Sequence, residues 1–295
     1  MHVLIIVVVL GLPVLLVALI VLLVTQQGRP PHDHDATVVA ARRHETRTSA
    51  AAATASIMMA LALWIAAATW GEPGLLLGVA PFAAALTFSL ARTVGEARWP
   101  RPTGEVRSAP LVRRSLRDQG GWRLPLFVGT VAGLVVALVV FGVTAAADGR
   151  SVERVLDAGR ETHSAGPYPG WALGVPVLVV LALAIGATFV ALRAVTRRPP
   201  IGLLSPEQDD AIRRTSAARV LAGAQIWVGI GAAACLAFAA GALLRVDWLG
   251  GALVCLLVAL VVLVGSVVIA ATALPSRRSR AAGGVLRAAT PGSVA

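Results

Sequence analysis

Histidine and carboxylate side chains crowd one short segment near the N-terminus. Its residues are His32, Asp33, His34 and Asp35, and His44-Glu45 follow nearby. Imidazole and carboxylate ligands suit zinc and similar ions, and adjacent positions on a flexible loop can converge on one metal. The tract has no fixed spacing on a predicted helix and directly follows Pro30-Pro31, a pattern typical of a solvated linker. We therefore expect a polar linker, with a metal site as the alternative, and no cofactor.

The second candidate for chemistry is a polar side chain inside the apolar part of the chain. The apolar runs defined below contain no Asp, Glu, Arg or His, and Gln225 is the most polar residue within them. Such an amide ordinarily forms hydrogen bonds between membrane helices. Gln225 is also the best candidate for a polar spot in a ligand cavity. The lack of buried charge disfavours ion-coupled transport but leaves open the passage of an apolar substrate.

Several classes of chemistry are excluded or disfavoured by residues that the chain lacks. It contains no lysine, so neither a retinal Schiff base nor a phosphate-binding GxxxxGK[ST] loop can form. HExxH and GxSxG motifs are absent as well. Cys235 and Cys255 have no metal-type spacing and are expected to be packing residues. We therefore expect no enzymatic activity.

Composition and patterning place the chain in a membrane. Of its 295 residues 57% are hydrophobic and only 14% are charged, whereas soluble proteins have about 25% charged residues. The apolar residues form runs that match a bilayer core of about 30 Å. The sequence predicts an all-α polytopic bundle, a single transmembrane domain over residues 1–274. Its seven spanning helices are expected at about 3–24, 51–70, 74–91, 125–147, 170–192, 220–244 and 249–274.

Arginine placement predicts the orientation of this bundle. Segments on one side of the seven runs carry 22 of the 26 arginines, and the opposite side carries 4. Basic residues are retained on the cytoplasmic side, so the N-terminus should lie outside and the C-terminus inside. The net charge of +11 is explained by this topology, and no nucleic-acid partner is expected. Residues 275–295 are predicted to be a basic, disordered cytoplasmic tail.

Three flanking segments are predicted to form helices of their own. A basic helix over Pro110–Asp118 should lie on the inner leaflet, with anionic lipid headgroups in contact with Arg113, Arg114 and Arg117. A short helix over Ser151–Ala158 should rest on the outer surface. A helix that starts at Ser205-Pro206 meets no breaker before the sixth run, so it should project into the cytoplasm.

The C-terminal half also resembles a known group of sequences. Tyr168-Pro169-Gly170-Trp171, Arg197-Arg198-Pro199 and the stretch from Arg213-Arg214 to Val220-Leu221 are similar to uncharacterised integral membrane proteins of actinobacteria. This resemblance implies a bacterial plasma-membrane location, and it brings no functional residues to transfer.

Two functional hypotheses follow from these patterns. The first is a non-enzymatic protein that acts by packing or interaction in the plasma membrane, in an envelope or signalling role. Its partners would be the bilayer, anionic headgroups at the inner face and a cytoplasmic or membrane protein. The alternative is a permease or exporter for a small apolar or amphiphilic molecule, which requires a cavity that reaches Gln225.

Overall fold

The computed structural model describes residues 36–69, 73–99, 115–156, 161–198 and 206–273. This part of the chain is mostly helical, with one small antiparallel sheet. In chain order the elements are α1 (Ala36–Thr69), α2 (Pro73–Ala97), α3 (Leu116–Gly120), α4 (Arg123–Thr144), β1 (Val152–Leu156), β2 (Glu161–Ala165), α5 (Trp171–Arg197), α6 (Pro206–Arg245) and α7 (Leu249–Ala271).

Six of these helices are long and apolar enough to cross a membrane. They are α1, α2, α4, α5, α6 and α7, and they correspond to the second to seventh predicted runs. The first run, residues 3–24, and the tail at 275–295 lie outside the described residues. Helix α2 is continuous across Pro81, as expected for a membrane helix in which neighbours compensate for the missing hydrogen bond.

Several helices extend well beyond their apolar runs. α1 begins at Ala36 rather than residue 51, and α2 continues to Ala97 rather than ending at residue 91. α6 is one helix of 40 residues, which confirms that no break separates Pro206 from the sixth run. The apolar runs mark where hydropathy falls, whereas a helix continues until its backbone meets a breaking residue.

Helix α6 is the central element, packed against both α2 and α7. A Cβ atom at Gly223 would overlap the ring of Phe88, and one at Gly231 would overlap the ring of Phe82. Because both α6 positions are glycines, two aromatic rings of α2 can lie directly on the α6 backbone. Cys235 and Cys255 are buried free thiols, as predicted.

Gly129 and Gly133 of α4 have the GxxxG spacing that often allows close packing between membrane helices, but they are not packed here. A Cβ atom at Gly129 or Gly133 would meet nothing within 4 Å. Both glycines lie on a face of α4 that the other described residues do not cover. Spacing alone cannot distinguish such a face from a packed one.

The segment predicted as a helix at Ser151–Ala158 is instead the first strand of a β-hairpin. β1 pairs with β2 in a register that places Val152 opposite Ala165 and Leu156 opposite Glu161. Val152 and Ala165 are buried, and the Tyr168 amide donates to the Arg150 carbonyl just beyond the last pair. The spacing of Val152 and Val155 is compatible with a helix and with a strand. Backbone pairing with Glu161–Ala165 makes this segment a strand.

The predicted basic helix at Pro110–Asp118 was also placed wrongly. Ser115 has an extended backbone and is the N-cap of α3, since its hydroxyl accepts a hydrogen bond from the Asp118 amide at 3.1 Å. A helix cannot run through a residue in this conformation, so α3 begins only at Leu116. Gly121, with φ of 52°, ends α3.

Asp148 gives the hairpin a pH dependence with a definite sign. Its exposed carboxylate accepts hydrogen bonds from the backbone amides of Arg150 and Ser151, which hold its pKa below the ordinary value of 3.8. Because the pKa of Asp148 is lower in the folded state, the ionised carboxylate stabilises the fold at pH values above 3.8, and this stabilisation is lost as pH falls through the folded-state pKa. We expect the hydrogen-exchange protection factors of these two amides to decrease over the same pH interval. Asp148→Asn, which cannot titrate, should show no such change, and an equal change would contradict the assignment.

Candidate functional site

A group of buried ion pairs lies where α1, α2, the end of α5 and α6 meet. We call it the ionic cluster, and the end of the bundle that contains it the arginine-rich end. Its members are Glu45, Arg92, Glu96, Arg198, Asp209, Arg213 and Arg219. All but Arg219 are at most 5% exposed. Charged side chains are almost never buried unless they are paired, so this cluster is the most unusual feature of the described residues.

Arg92 is the centre of the cluster and is fully buried. Its Nη2 atom lies 2.8 Å from Glu45 Oε1 and 3.2 Å from Glu96 Oε1. Its Nη1 atom donates to Ser49 Oγ at 2.9 Å. One guanidinium of α2 therefore joins two residues of α1 to a carboxylate of its own helix.

Glu45 connects the same centre to α6. The Ser216 hydroxyl donates to Glu45 Oε2 at 3.1 Å, and Arg219 Nη1 lies 3.3 Å from Glu45 Oε1. Both oxygens of this carboxylate thus have partners on α6, in addition to Arg92. Such pairing is what makes a buried carboxylate tolerable.

Arg198 brings in the end of α5. Its Nη1 atom donates to Ser216 Oγ at 3.3 Å and lies 3.7 Å from Glu96 Oε2. The guanidinium carbon lies 4.1 Å from the centroid of the buried Trp99 ring, a cation–π arrangement. His44 meets the same ring edge-on, with centroids 5.3 Å apart, and its Nε2 atom lies 2.9 Å from the Gly95 carbonyl oxygen.

Arg213 ties α6 to the last turn of α5. Its Nε atom donates to Asp209 Oδ2 at 2.8 Å, and its Nη1 atom donates to the Val195 carbonyl at 3.0 Å. The last carbonyls of a helix lack intrahelical partners and carry partial negative charge. A guanidinium therefore satisfies a helix terminus and a carboxylate together.

The position of the cluster along α2 matches the boundary of a bilayer. Arg92 lies nineteen residues after Pro73, the first residue of α2. At about 1.5 Å per residue this is about 28 Å along the helix axis, close to the thickness of a hydrocarbon core. A hydrocarbon core that began at Pro73 would therefore end near Arg92, so the cluster belongs to the end of α2 and not to its middle.

Positive and negative charges balance among the buried members of the cluster. Three guanidinium groups face three carboxylates, and Arg219, whose side chain is 15% exposed, adds a fourth guanidinium at the edge. Burial lowers the pKa of Arg198; the Glu96 carboxylate opposes this shift, and nearby Arg213 adds to it. Arginine nevertheless remains protonated in proteins, so these pairs are ionic at neutral pH.

A smaller polar contact lies deep in the bundle at Gln225. Its Nε2 atom donates to Thr130 Oγ1 of α4 and to Ser266 Oγ of α7, both at 2.9 Å. The side chain is 1% exposed, and its Oε1 atom has no hydrogen-bond partner. Gln225 therefore joins three helices and retains one buried acceptor.

Of the possible metal ligands singled out from the sequence, Glu45 belongs to the ionic cluster and His44 packs beside it on Trp99. The tract from His32 to Asp35 lies outside the described residues, as do Arg113 and Arg114. Arg117 lies in α3 and is exposed. Among the residues that the structure describes, no group of three or more His, Cys, Asp or Glu is placed to hold a metal.

Sequence reasoning missed the ionic cluster, although two signals for it were present. Arg92 and Glu96, and likewise Asp209 and Arg213, are four residues apart with no breaker between them. This spacing favours ion pairs on a continuous helix. The apolar runs contain no ionisable residue, as stated above. The inferred lack of buried charge is wrong, because α1, α2 and α6 include charged turns beyond those runs.

Comparisons with protein-family models, with curated proteins and with solved structures find no match to this chain.

Proposed function

We propose that this chain is a non-enzymatic, multi-pass protein of the bacterial plasma membrane that acts by packing or interaction, in an envelope or signalling role. The observation that carries the proposal is the ionic cluster beneath a surface rich in exposed arginine. The cluster fixes α1, α2, α5 and α6 relative to one another, so that surface has a defined shape. The exposed arginines at this end are Arg43, Arg47, Arg98, Arg117, Arg193, Arg197 and Arg214.

The partners that suit such a surface are acidic. Lipid headgroups of the inner leaflet are one set, and we propose Arg113, Arg114 and Arg117 as their contacts. An acidic face of a cytoplasmic or membrane protein is the other. Exposed guanidinium groups provide bidentate hydrogen bonds for carboxylates and phosphates.

Site-specific photocrosslinking in the native membrane tests the protein partner. A crosslinking side chain at Arg43 or Arg98 should give discrete protein adducts, whereas the same group at Arg150, at the hairpin end, should not. Glutamine at Arg47 and Arg117 should weaken the adducts by removing charge near the crosslinker. Equal adducts from both ends, or none from the arginine-rich end, would count against the proposal.

The proposal includes seven spans, with the N-terminus outside and the C-terminus cytoplasmic. Residues 3–24, the first run in chain order, would add one span to the six helices described above. Protease-accessible tags at the two termini of the intact chain should therefore be cleaved from opposite sides of the membrane. Cleavage of both tags from one side would contradict this arrangement and would indicate an even number of spans.

A permease or exporter for a small apolar or amphiphilic molecule is the second candidate. The buried Gln225 Oε1 atom, which has no hydrogen-bond partner, favours it because a substrate donor could satisfy that acceptor. Gln225→Leu should then abolish substrate-dependent transport in vesicles and leave the folded fraction nearly unchanged. If Gln225 only joins helices, the variant should instead lose roughly 1 kcal/mol of stability. Unchanged transport in a folded variant would remove this candidate.

A further inference from the structure

Helix α1 packs against α2 and leaves its opposite face uncovered by the rest of the described chain. Two large side chains on this face are well exposed, Met58 at 60% and Ile65 at 61%. Together with Ala51, Ala55 and Ala62 they form a row that we call the α1 seam. Its residues are spaced alternately by four and three along the helix. This is the spacing at which two membrane helices pack with a small crossing angle.

Small and large side chains alternate along the α1 seam from Ala55 to Ile65. Met58 and Ile65, the two large ones, are seven residues apart. A helix that packs closely here must place small residues beside these two and larger residues beside the alanines, because well-packed interfaces leave neither overlaps nor voids.

The first apolar run, residues 3–24, has the complementary pattern. Gly11 and Ala18 are the only glycine and alanine in this run, and they are also seven residues apart. Leu15 lies four residues after Gly11, and Leu22 lies four residues after Ala18. On a helix these four residues would share one face, again with small and large side chains in alternation.

An antiparallel arrangement brings the two patterns into one register. If Ala18 lies beside Met58, then Gly11 falls beside Ile65, because both pairs are separated by seven residues. The remaining layers then combine Leu15 with Ala62 and Leu22 with Ala55. Every layer therefore contains one large and one small side chain.

The same register aligns the membrane ends of the two runs. It places Val24 level with Ala52, within one residue of Ala51, where the apolar run of α1 begins. It places Val3 level with Pro73, the first residue of α2. These boundaries come from hydropathy and not from side-chain size, so their agreement supports the register independently.

The segment between the run and α1 is long enough for this arrangement. Residues 25–35 span at most about 36–40 Å when fully extended. They must extend from the level of Ala51 to Ala36, the first residue of α1, about 22 Å along the helix axis. The separation of two packed helices adds about 8–10 Å sideways. Consecutive elements of a chain are usually neighbours in space, which favours α1 over more distant helices.

We propose that residues 3–24 form a helix packed antiparallel on the α1 seam, with Ala18 beside Met58 and Gly11 beside Ile65. The inference rests on the span proposed above for residues 3–24. It adds the neighbour of that span, its direction relative to α1 and its register.

Disulfide crosslinking of the full-length chain in its membrane tests the register. Cys235→Ala and Cys255→Ala first remove the two free thiols. A protease site inserted after Gln27 then allows the N-terminal fragment to be cut from the rest. After oxidation and cleavage, Ala18→Cys combined with Met58→Cys should hold the two fragments together until a reductant is added.

A shifted pair is the matched control. In Ala18→Cys combined with Ile65→Cys the partner is moved by about 10 Å along the helix axis, beyond the Cα separation that a disulfide allows. Its crosslink yield should be at least about fivefold lower than that of the matched pair. Equal yields, a crosslink from Ala18→Cys to Val136→Cys on α4, or a product of twice the chain mass would overturn the proposal.

The terminal tags described above separate a failure of this packing from a failure of the span. Tags cleaved from opposite sides of the membrane, without a crosslink in the matched pair, would keep the span and refute its packing on α1. Tags cleaved from one side would refute both.

A photoreactive side chain in the chain with its own cysteines covers the case in which the cysteine-free variant does not fold. Placed at Met58, it should retain the N-terminal fragment after the same cleavage. Placed at Leu257, a residue of α7 that is 63% exposed, it should not. Equal retention from the two positions, or none from Met58, would contradict the proposal.

Discussion

Arg92→Gln is expected to lower the free energy of unfolding by about 3 kcal/mol or more, the largest loss expected from any single charge in the part of the chain that the structure describes. The substitution removes a fully buried guanidinium that lies within 3.2 Å of both Glu45 and Glu96. Breaking a buried ion pair from one side typically costs about 3–5 kcal/mol, because the remaining charge stays buried without its partner. Unfolding of the full chain in mixed micelles, followed by tryptophan fluorescence, measures the effect.

The control for this experiment is Arg98→Gln. Arg98 directly follows α2 and is exposed, so neutralising it should change stability by less than about 1 kcal/mol. The double variant Arg92→Gln, Glu96→Gln should recover part of the lost stability. One of the two carboxylates that lose Arg92 as their partner is then replaced by a neutral amide. Loss of equal size in Arg92→Gln and Arg98→Gln would show that the ionic cluster does not hold the helices together.

Gly223→Ala is expected to have the second largest effect, a loss of about 1–3 kcal/mol. The added methyl group would occupy space that the Phe88 ring fills, and a ring between two helices cannot move aside as a flexible chain end does. The helices would have to separate, or the ring would have to leave its preferred rotamer. The midpoint of thermal unfolding in detergent measures this loss.

Gly241→Ala provides the matched control on the same helix. A Cβ atom there would meet nothing within 4 Å, so the variant should be neutral or about 0.5–1 kcal/mol more stable through helix propensity. Phe88→Leu combined with Gly223→Ala should be less destabilising than the sum of the two single variants. If Gly223→Ala and Gly241→Ala behave alike, Phe88 does not pack on α6 as described.

The helical class and the approximate positions of six helices followed from the sequence because they depend on local properties. Runs of about 20 apolar residues, a proline at the start of α6 and a glycine at the end of α3 each act within a few residues. The hairpin did not follow, because the spacing of Val152 and Val155 is compatible with a helix or a strand. Only the pairing of that segment with Glu161–Ala165 decides between them.

The ionic cluster depends on contacts that no local pattern contains. Glu45, Arg92 and Arg219 come from three helices, and nothing in their neighbouring residues indicates that they meet. The two pairs spaced by four residues could have been recognised, but a hydropathy boundary drawn at residue 91 separated Arg92 from the helix that positions it. The glycines of α4 show the opposite case, a recognisable motif on a face without the expected contact.

The separation of Glu45 from its partners along the chain has a consequence for biosynthesis. Its hydrogen-bond partner Ser216 is 171 residues later in the sequence. At about 5–20 residues per second, the ribosome needs on the order of ten to thirty seconds to make that interval. During this time α1 and α2 can associate. The side of the Glu45 carboxylate that α6 later covers must meanwhile form hydrogen bonds with water or with the insertion machinery. Closure of the ionic cluster is therefore a late step, and a chain that stops before Ser216 retains a polar surface which quality control can detect.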